Sequence, residues 1–156
     1  MKVSLIAFFA AVLFLGCSKS EETHLNVKLA NFSHSECGGF KSESLFADEL
    51  QEQLIVAHEQ KQVYSISHSN VEFNCCLPKG LGIELTLRND TIYIDEKEIE
   101  LGLCKCMCPY DLYFELVDLE EGTYVLCLMR GSVVRGTARL GFAKGMMEKI
   151  DVSAMN

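Results

Sequence analysis

Cysteine spacing constrains this chain more than any other feature of its sequence. Cys104, Cys106 and Cys108 alternate with single residues, and side chains two residues apart in a strand share one face. We therefore expect these three thiols to point the same way, toward the core. Residues i and i+2 of a strand lie about 6.5 Å apart with parallel side chains, a poor geometry for a disulfide. The triplet should bond to other segments.

The available partners are Cys37 and the adjacent pair Cys75 and Cys76, which would give three disulfides with the triplet. Six cysteines allow fifteen pairings, and spacing alone does not choose among them. Cys127 follows an apolar run, and we expect it to be a buried free thiol.

A metal site is the alternative interpretation of the same cysteines. Thiolates suit zinc or Cu(I), and the alternative ligand set is Cys75, Cys104, Cys106, Cys108 and His68. The spacing differs from the usual Cys-x₂-Cys of zinc sites. Without a Cys-x-x-Cys at a helix start, a redox enzyme is not favoured.

The first seventeen residues decide between these interpretations, because disulfides belong to oxidising compartments. A basic start at Lys2 precedes an apolar run over 3–15, which is too short to span a bilayer and is typical of a signal peptide. The end, Leu15-Gly16-Cys17, resembles the lipobox of bacterial lipoproteins, although Phe14 stands where that pattern usually has Leu. The resemblance implies removal of residues 1–16 and lipidation of Cys17. With the cysteines in disulfides no cofactor is expected, and zinc or copper belongs to the alternative interpretation.

Residues 17–24 are expected to form a flexible lipid-anchored leader. Its acidic stretch resembles export signals of surface lipoproteins in some Gram-negative anaerobes. We expect a location in the cell envelope at the outer membrane, with the cell surface as a further alternative. The chain is acidic, with a formal net charge of −8 and no cluster of Lys or Arg, so a nucleic-acid partner is not expected.

Hydrophobic residues recur with a period of two through most of the chain, which predicts a mostly-β fold. Asn89-Asp90 separates two such runs and indicates a hairpin turn. Seven or eight short strands favour an antiparallel β-sandwich or a partly open barrel over 25–145. A short helix near 45–60 competes with a strand there, and 146–156 should be a loosely ordered tail.

The pattern of residues 69–76 (SNVEFNCC), 104–112 (CKCMCPYDL) and 122–124 (GTY) is similar to a group of small uncharacterised cysteine-rich lipoproteins of Gram-negative anaerobes. The resemblance covers about 35–128 and carries no assigned activity. Cys127 does not belong to the pattern.

Other polar candidates favour structural roles. An acidic stretch is expected to be a solvated hairpin, with a calcium site as the alternative: Asp90, Asp95, Glu96, Glu98 and Glu100. We expect His68 to be an edge or core histidine, and Tyr110, Tyr113 and Tyr124 to pack on the sheets. No catalytic Ser/His/Asp set is recognisable. The sequence therefore predicts a lipid-anchored binding or structural module, not an enzyme, whose ligand is an unknown protein or small molecule.

Overall fold

The structure is a computed structural model that describes residues 27–39 and 51–156. The signal segment, Cys17, the leader and residues 45–50 lie outside the described residues.

Strands make up most of the described chain, as alternating apolar and polar residues predict. Within these residues there are nine strands and one 3-10 helix: β1 Lys28–His34, β2 Gln53–Gln60, β3 Val63–Asn74, β4 Leu81–Arg88, β5 Thr91–Glu98, β6 Met107–Val117, β7 Gly122–Arg130, β8 Val133–Phe142, β9 Met147–Asp151 and the helix Val152–Ala154.

The strands form two sheets, and their arrangement is the predicted sandwich. The five-stranded sheet has the order β1-β6-β3-β2-β9, and the four-stranded sheet has the order β4-β5-β7-β8. Neither sheet of the described chain closes into a barrel. Pairing is antiparallel throughout the described strands except at one place, where β5 and β7 run parallel. The chain crosses to the other sheet as β6 between them, so β7 returns in the direction of β5.

The β4–β5 hairpin confirms the predicted turn. Arg88 pairs with Thr91, which leaves Asn89 and Asp90 as the two turn residues. Asn89 has φ 55°, in the left-handed region that asparagine tolerates better than most residues.

Apolar side chains from the two sheets meet in a core between them. A larger cluster includes Tyr64, Ile66, Phe114 and Phe142, which are almost wholly buried. A smaller second cluster lies toward the end where β3 finishes and β6 begins: Val71, Phe73, Leu81, Cys108, Tyr110 and Leu112.

The helix considered for 45–60 is not present in its described part, because 53–60 form strand β2. Leu54 and Val56 alternate with more exposed neighbours and are fully buried. β2 is hydrogen-bonded to β3 on one side and to β9 on the other, and this pairing outweighs the helix propensity of its Gln and Ala residues.

The loosely ordered tail expected for 146–156 is also wrong. Residues Met147–Asp151 form β9 at the edge of the five-stranded sheet, and Val152 of the following 3-10 helix is buried. The last residue, Asn156, exchanges backbone hydrogen bonds with Thr137 of β8. Backbone pairing orders this segment although its own apolar pattern is weak. No helix among the described residues is both long enough and apolar enough to cross a membrane.

Candidate functional site

Three disulfides gather at one end of the sandwich and confirm that the triplet bonds to other segments. The pairs are Cys37–Cys108, Cys75–Cys106 and Cys76–Cys104. Their Cα atoms are 5.6, 5.6 and 5.7 Å apart, within the usual disulfide range.

The β3–β6 ladder sets this pairing. Phe73 pairs with Cys108 and Asn74 with Met107 at the end of the ladder, and the Cys75 N–H then donates to the Cys106 carbonyl at 3.2 Å. The antiparallel register therefore brings the residues that follow β3 opposite those that precede β6.

The expectation that the three thiols of the triplet share one buried face is wrong. Only Cys108 lies in β6 and is buried, whereas Cys104 is half-buried and Cys106 is exposed. Both lie in the connection from β5 to β6, which is not a strand. The alternation therefore does not describe one extended strand.

Asn74 holds this connection in place through its side chain. Its Nδ2 donates to the Cys104 carbonyl at 2.7 Å, and its Oδ1 accepts from the Cys76 N–H at 2.9 Å. The Glu98 carboxylate accepts from the Asn74 N–H at 2.9 Å and from the Gly102 N–H at 3.4 Å. The connection is thus fixed by hydrogen bonds as well as by disulfides.

Gly102 lies against the end of β3 with no space for a side chain. A Cβ at this position would stand 1.9 Å from the Cys76 carbonyl oxygen and 2.5 Å from Asn74 Oδ1. Because this side of the backbone packs inward, the neighbouring Leu101 and Leu103 are 78% and 98% exposed.

Four exposed apolar side chains lie along this connection or at its end. We call this surface the apolar tip, and it consists of Ile99, Leu101, Leu103 and Met107. Scattered exposed leucines are ordinary, but a group of them on one braced segment is a typical mark of an interaction site. Nothing in the sequence pattern singled it out, because short apolar runs equally indicate buried strands.

The possible metal ligands fall in a different grouping from the one expected. The Sγ atoms of Cys75, Cys76, Cys104 and Cys106 all lie within 4.8 Å of one another. Cys108 is bonded to Cys37 instead, and His68 lies between carboxylates, so neither belongs to this group.

His68 is a fully buried core histidine. Its Nδ1 donates to Glu96 Oε1 at 2.7 Å, and its Nε2 lies 3.2 Å from Glu52 Oε1. Glu96, which was expected to be solvated with the rest of the acidic stretch, is 1% exposed. It lies on the same face of β5 as Ile92 and Ile94, so strand geometry turns it inward.

Two arginines extend this ionic cluster from the core to the surface. Arg130 Nη2 lies 3.0 Å from Glu52 Oε1, and Arg135 Nη2 lies 3.5 Å from Glu52 Oε2. The Arg130 guanidinium also stacks 5.0 Å above the Phe73 ring. Glu52 and the two arginines line a surface cavity of about 290 Å³, together with Asn70, Glu72 and Pro109.

Charges within the cluster set its protonation. Burial alone would lower the pKa of His68, but the Glu96 and Glu52 carboxylates outweigh it and raise this pKa to about 9. Burial would raise the pKa of Glu52, yet the contact with His68 and the arginine charges lower it. His68 is therefore an imidazolium at neutral pH.

The remaining sequence candidates are structural. Tyr110 and Tyr124 are buried in the sheets, as expected for packing. Cys127 is the only free cysteine among the residues that the structure describes, and it is buried, as expected. Burial raises the pKa of its thiol, which makes it a poor nucleophile.

Comparison with known proteins adds no relative. A scan against family models finds no match, and neither do searches of curated proteins and of solved structures. The function of the chain is therefore inferred from the geometry of its own residues.

Proposed function

We propose that this protein is an exported, lipid-anchored binding module that presents its apolar tip to a partner protein. The observation that carries the proposal is the tip itself, in which Leu101 and Leu103 are held outward by two disulfides and the Asn74 hydrogen bonds. A binding surface fixed before contact loses less conformational entropy on binding than a flexible one.

Export is supported by the three disulfides, since such bonds persist in oxidising compartments. The sequence supports anchoring through the apolar run that ends in Gly16-Cys17. The six cysteines of the three disulfides bond to one another, so none of them is left to form a disulfide with Cys17. Under this proposal the anchor is the outer membrane, and two or three acyl chains hold the protein there.

The position of the tether supports a partner away from the anchoring membrane. Lys28 pairs with Val117 at the opposite end of β6 from Met107 and the disulfides. An eleven-residue strand at about 3.3 Å per residue separates the two ends by roughly 35 Å. The eleven Cα–Cα steps from Cys17 to Lys28 extend at most about 38 Å, so only a fully stretched leader would let the tip reach the same membrane.

The shape and chemistry of the tip favour a protein over a small ligand. Small molecules bind in concave pockets, whereas Leu103 is almost fully exposed on a connection between strands. Two projecting aliphatic side chains suit an apolar pocket on another protein. We infer a binding or structural role and no catalysis.

Anchoring is tested by comparing the native chain with Cys17→Ser in cell fractionation and fatty-acid labelling. We expect the native protein to take up labelled fatty acid and to sediment with membranes, and the variant to do neither. Cys127→Ser is the matched control and should behave like the native chain. A variant that still sediments, beside a native chain without label, would reject the lipid anchor.

Binding is tested in intact cells with a photo-crosslinking amino acid placed at Leu103. Met147 is the control position, because it is 74% exposed but lies near the tether end of the sandwich. We expect a discrete protein adduct from position 103 alone, and its loss when Leu101→Asp is added. Equal adducts from both positions, or none from 103, would contradict a docking role for the tip.

A further inference from the structure

Four sulfur atoms beneath the apolar tip lie close enough to share one ion. The Sγ atoms of Cys75, Cys76, Cys104 and Cys106 are all within 4.8 Å of one another. In a tetrahedral tetrathiolate site with bonds of about 2.3 Å, the sulfurs stand roughly 3.8 Å apart. Once reduction lets each bonded pair separate to this distance, the four sulfurs meet one ion without leaving the 4.8 Å that already spans the group.

We propose that these four cysteines form a redox-controlled metal site. When both disulfides are reduced, the site binds one zinc-like d¹⁰ ion, and when the thiolates are oxidised, the ion is released. This deepens the proposed module by giving its tip a second way of being held, but it does not depend on the lipid anchor.

The reaction balances with a dithiol as reductant. Each protein disulfide receives two electrons and two protons, while a dithiol closes to its own disulfide, so two dithiols yield four protein thiols. The four thiols then bind Zn²⁺ as thiolates and release their four protons. In the reverse direction, two equivalents of a disulfide oxidant accept four electrons from the thiolates and four protons from solvent, which gives four small thiols; both protein disulfides form again, and the ion leaves.

The backbone supports the four ligands without the sulfur bonds. Cys75 donates its N–H to the Cys106 carbonyl, and Asn74 contacts both Cys76 and Cys104 through its side-chain amide. The separate Cys37–Cys108 bond joins β6 to the segment that follows β1, and β1 pairs with the opposite edge of β6 from β3. Reduction of the two bridges therefore leaves the segments that carry the ligands facing each other.

Access to the site is also suitable. Cys106 is exposed and the other three cysteines are half-buried, so a reductant and an ion can both reach the sulfurs. A sheltered set of thiolates is the ligand type that zinc and Cu(I) prefer over Mg²⁺ or Ca²⁺. Lys105, between two of the ligands in sequence, offers a positive charge to a site whose net charge would be negative.

The test uses natively purified, detergent-solubilised protein that is reduced with dithiothreitol, freed of it without oxygen, and titrated with Co²⁺. We expect one Co²⁺ per chain with intense thiolate charge-transfer bands and tetrahedral d–d bands, all abolished by one equivalent of Zn²⁺. Cys75→Ser and Cys104→Ser should each weaken Co²⁺ binding at least tenfold. The double variant Cys37→Ser/Cys108→Ser is the matched control and should keep the spectrum.

Circular dichroism on the same samples keeps the result interpretable if reduction loosens the fold. Reduced protein that is unfolded without metal should recover its β spectrum when Zn²⁺ is added. Absence of the charge-transfer bands in folded reduced protein would overturn the proposal. It would also be overturned if Zn²⁺ failed to restore the fold, or if the control lost Co²⁺ as fully as Cys75→Ser. None of these outcomes bears on Cys17 labelling, so the anchor and the metal site can fail independently.

Discussion

The His68 imidazole on β3 lies 2.7 Å from the Glu96 carboxylate on β5, so this buried contact joins the two sheets of the sandwich. Each side chain is at most 1% exposed. A charge removed from water is tolerated only beside an opposite charge, so each partner requires the other. The intact pair links the two sheets, and loss of either partner alone should destabilise the fold.

We predict that the free energy of unfolding falls as the pH rises from about 6.5 to about 9. The folded protein keeps the His68 proton up to its pKa of about 9, whereas the unfolded chain releases it near 6.5. The contribution is fully present below 6.5 and decreases by about 1.4 kcal/mol per pH unit across that window, for a total of roughly 3 kcal/mol. Urea unfolding at several pH values measures it.

Two histidine variants test whether His68 causes this pH dependence of the unfolding free energy, and the second is the control. His68→Gln should remove the pH dependence of the unfolding free energy in this range, and His58→Gln should keep it. Nitrogen NMR of the imidazole should also find both nitrogens of His68 protonated at pH 7.5. A neutral tautomer at that pH would contradict the assignment of His68 as an imidazolium.

We predict that Glu96→Gln destabilises the fold by about 3 kcal/mol, because it leaves a buried imidazolium with only the half-buried Glu52 as its anion. The double variant His68→Leu/Glu96→Leu should be more stable than Glu96→Gln, since it removes both charges together. Glu84→Gln, at an exposed position of β4, should unfold like the native chain. Thermal and urea unfolding compare the four proteins, and an unchanged Glu96→Gln midpoint would show that the contact does not stabilise.

Much of this cluster follows from strand alternation in the sequence. Tyr64, Ile66 and His68 share one parity, and Ile92, Ile94 and Glu96 share another, so both polar residues fall on inward faces. The sequence analysis nevertheless predicted that Glu96 is solvated, because acidic residues surround it at 95–100. The arginines could not be assigned to Glu52, because their meeting depends on the packing of one sheet on the other.

The disulfides, too, could be predicted only in part from the sequence. That the triplet bonds to Cys37, Cys75 and Cys76 follows from the poor geometry within each set. The particular pairs depend on the β3–β6 register, which the sequence does not encode locally. For the same reason β9 was missed and β2 was left open between helix and strand, because the order of both segments comes from neighbours distant in sequence.

We predict that Gly102→Ala disrupts the apolar tip. Its Cβ would meet the Cys76 carbonyl oxygen and Asn74, and both are fixed by the backbone and hydrogen bonds of the tip. We expect a smaller fraction of molecules with the Cys76–Cys104 bond and a loss of stability of about 2 kcal/mol or more. Gly141→Ala is the control, because no atom lies within 4 Å of its added methyl group. Peptide mapping without reduction measures the bond, and full pairing in Gly102→Ala would contradict the close packing.

We predict that mass spectrometry finds one alkylatable thiol in unreduced protein after denaturation, and none before it. Six cysteines are bonded, Cys17 carries lipid under the proposed function, and Cys127 is buried with a thiol pKa raised by burial. In Cys127→Ala the count should fall to zero, which identifies the reactive residue. A second thiol in denatured native protein that disappears in Cys17→Ser would mean that Cys17 is not lipidated. Five or more thiols would mean that at least two bridges are open, and the fold should then lack the stabilisation of about 2–4 kcal/mol that each bridge typically gives.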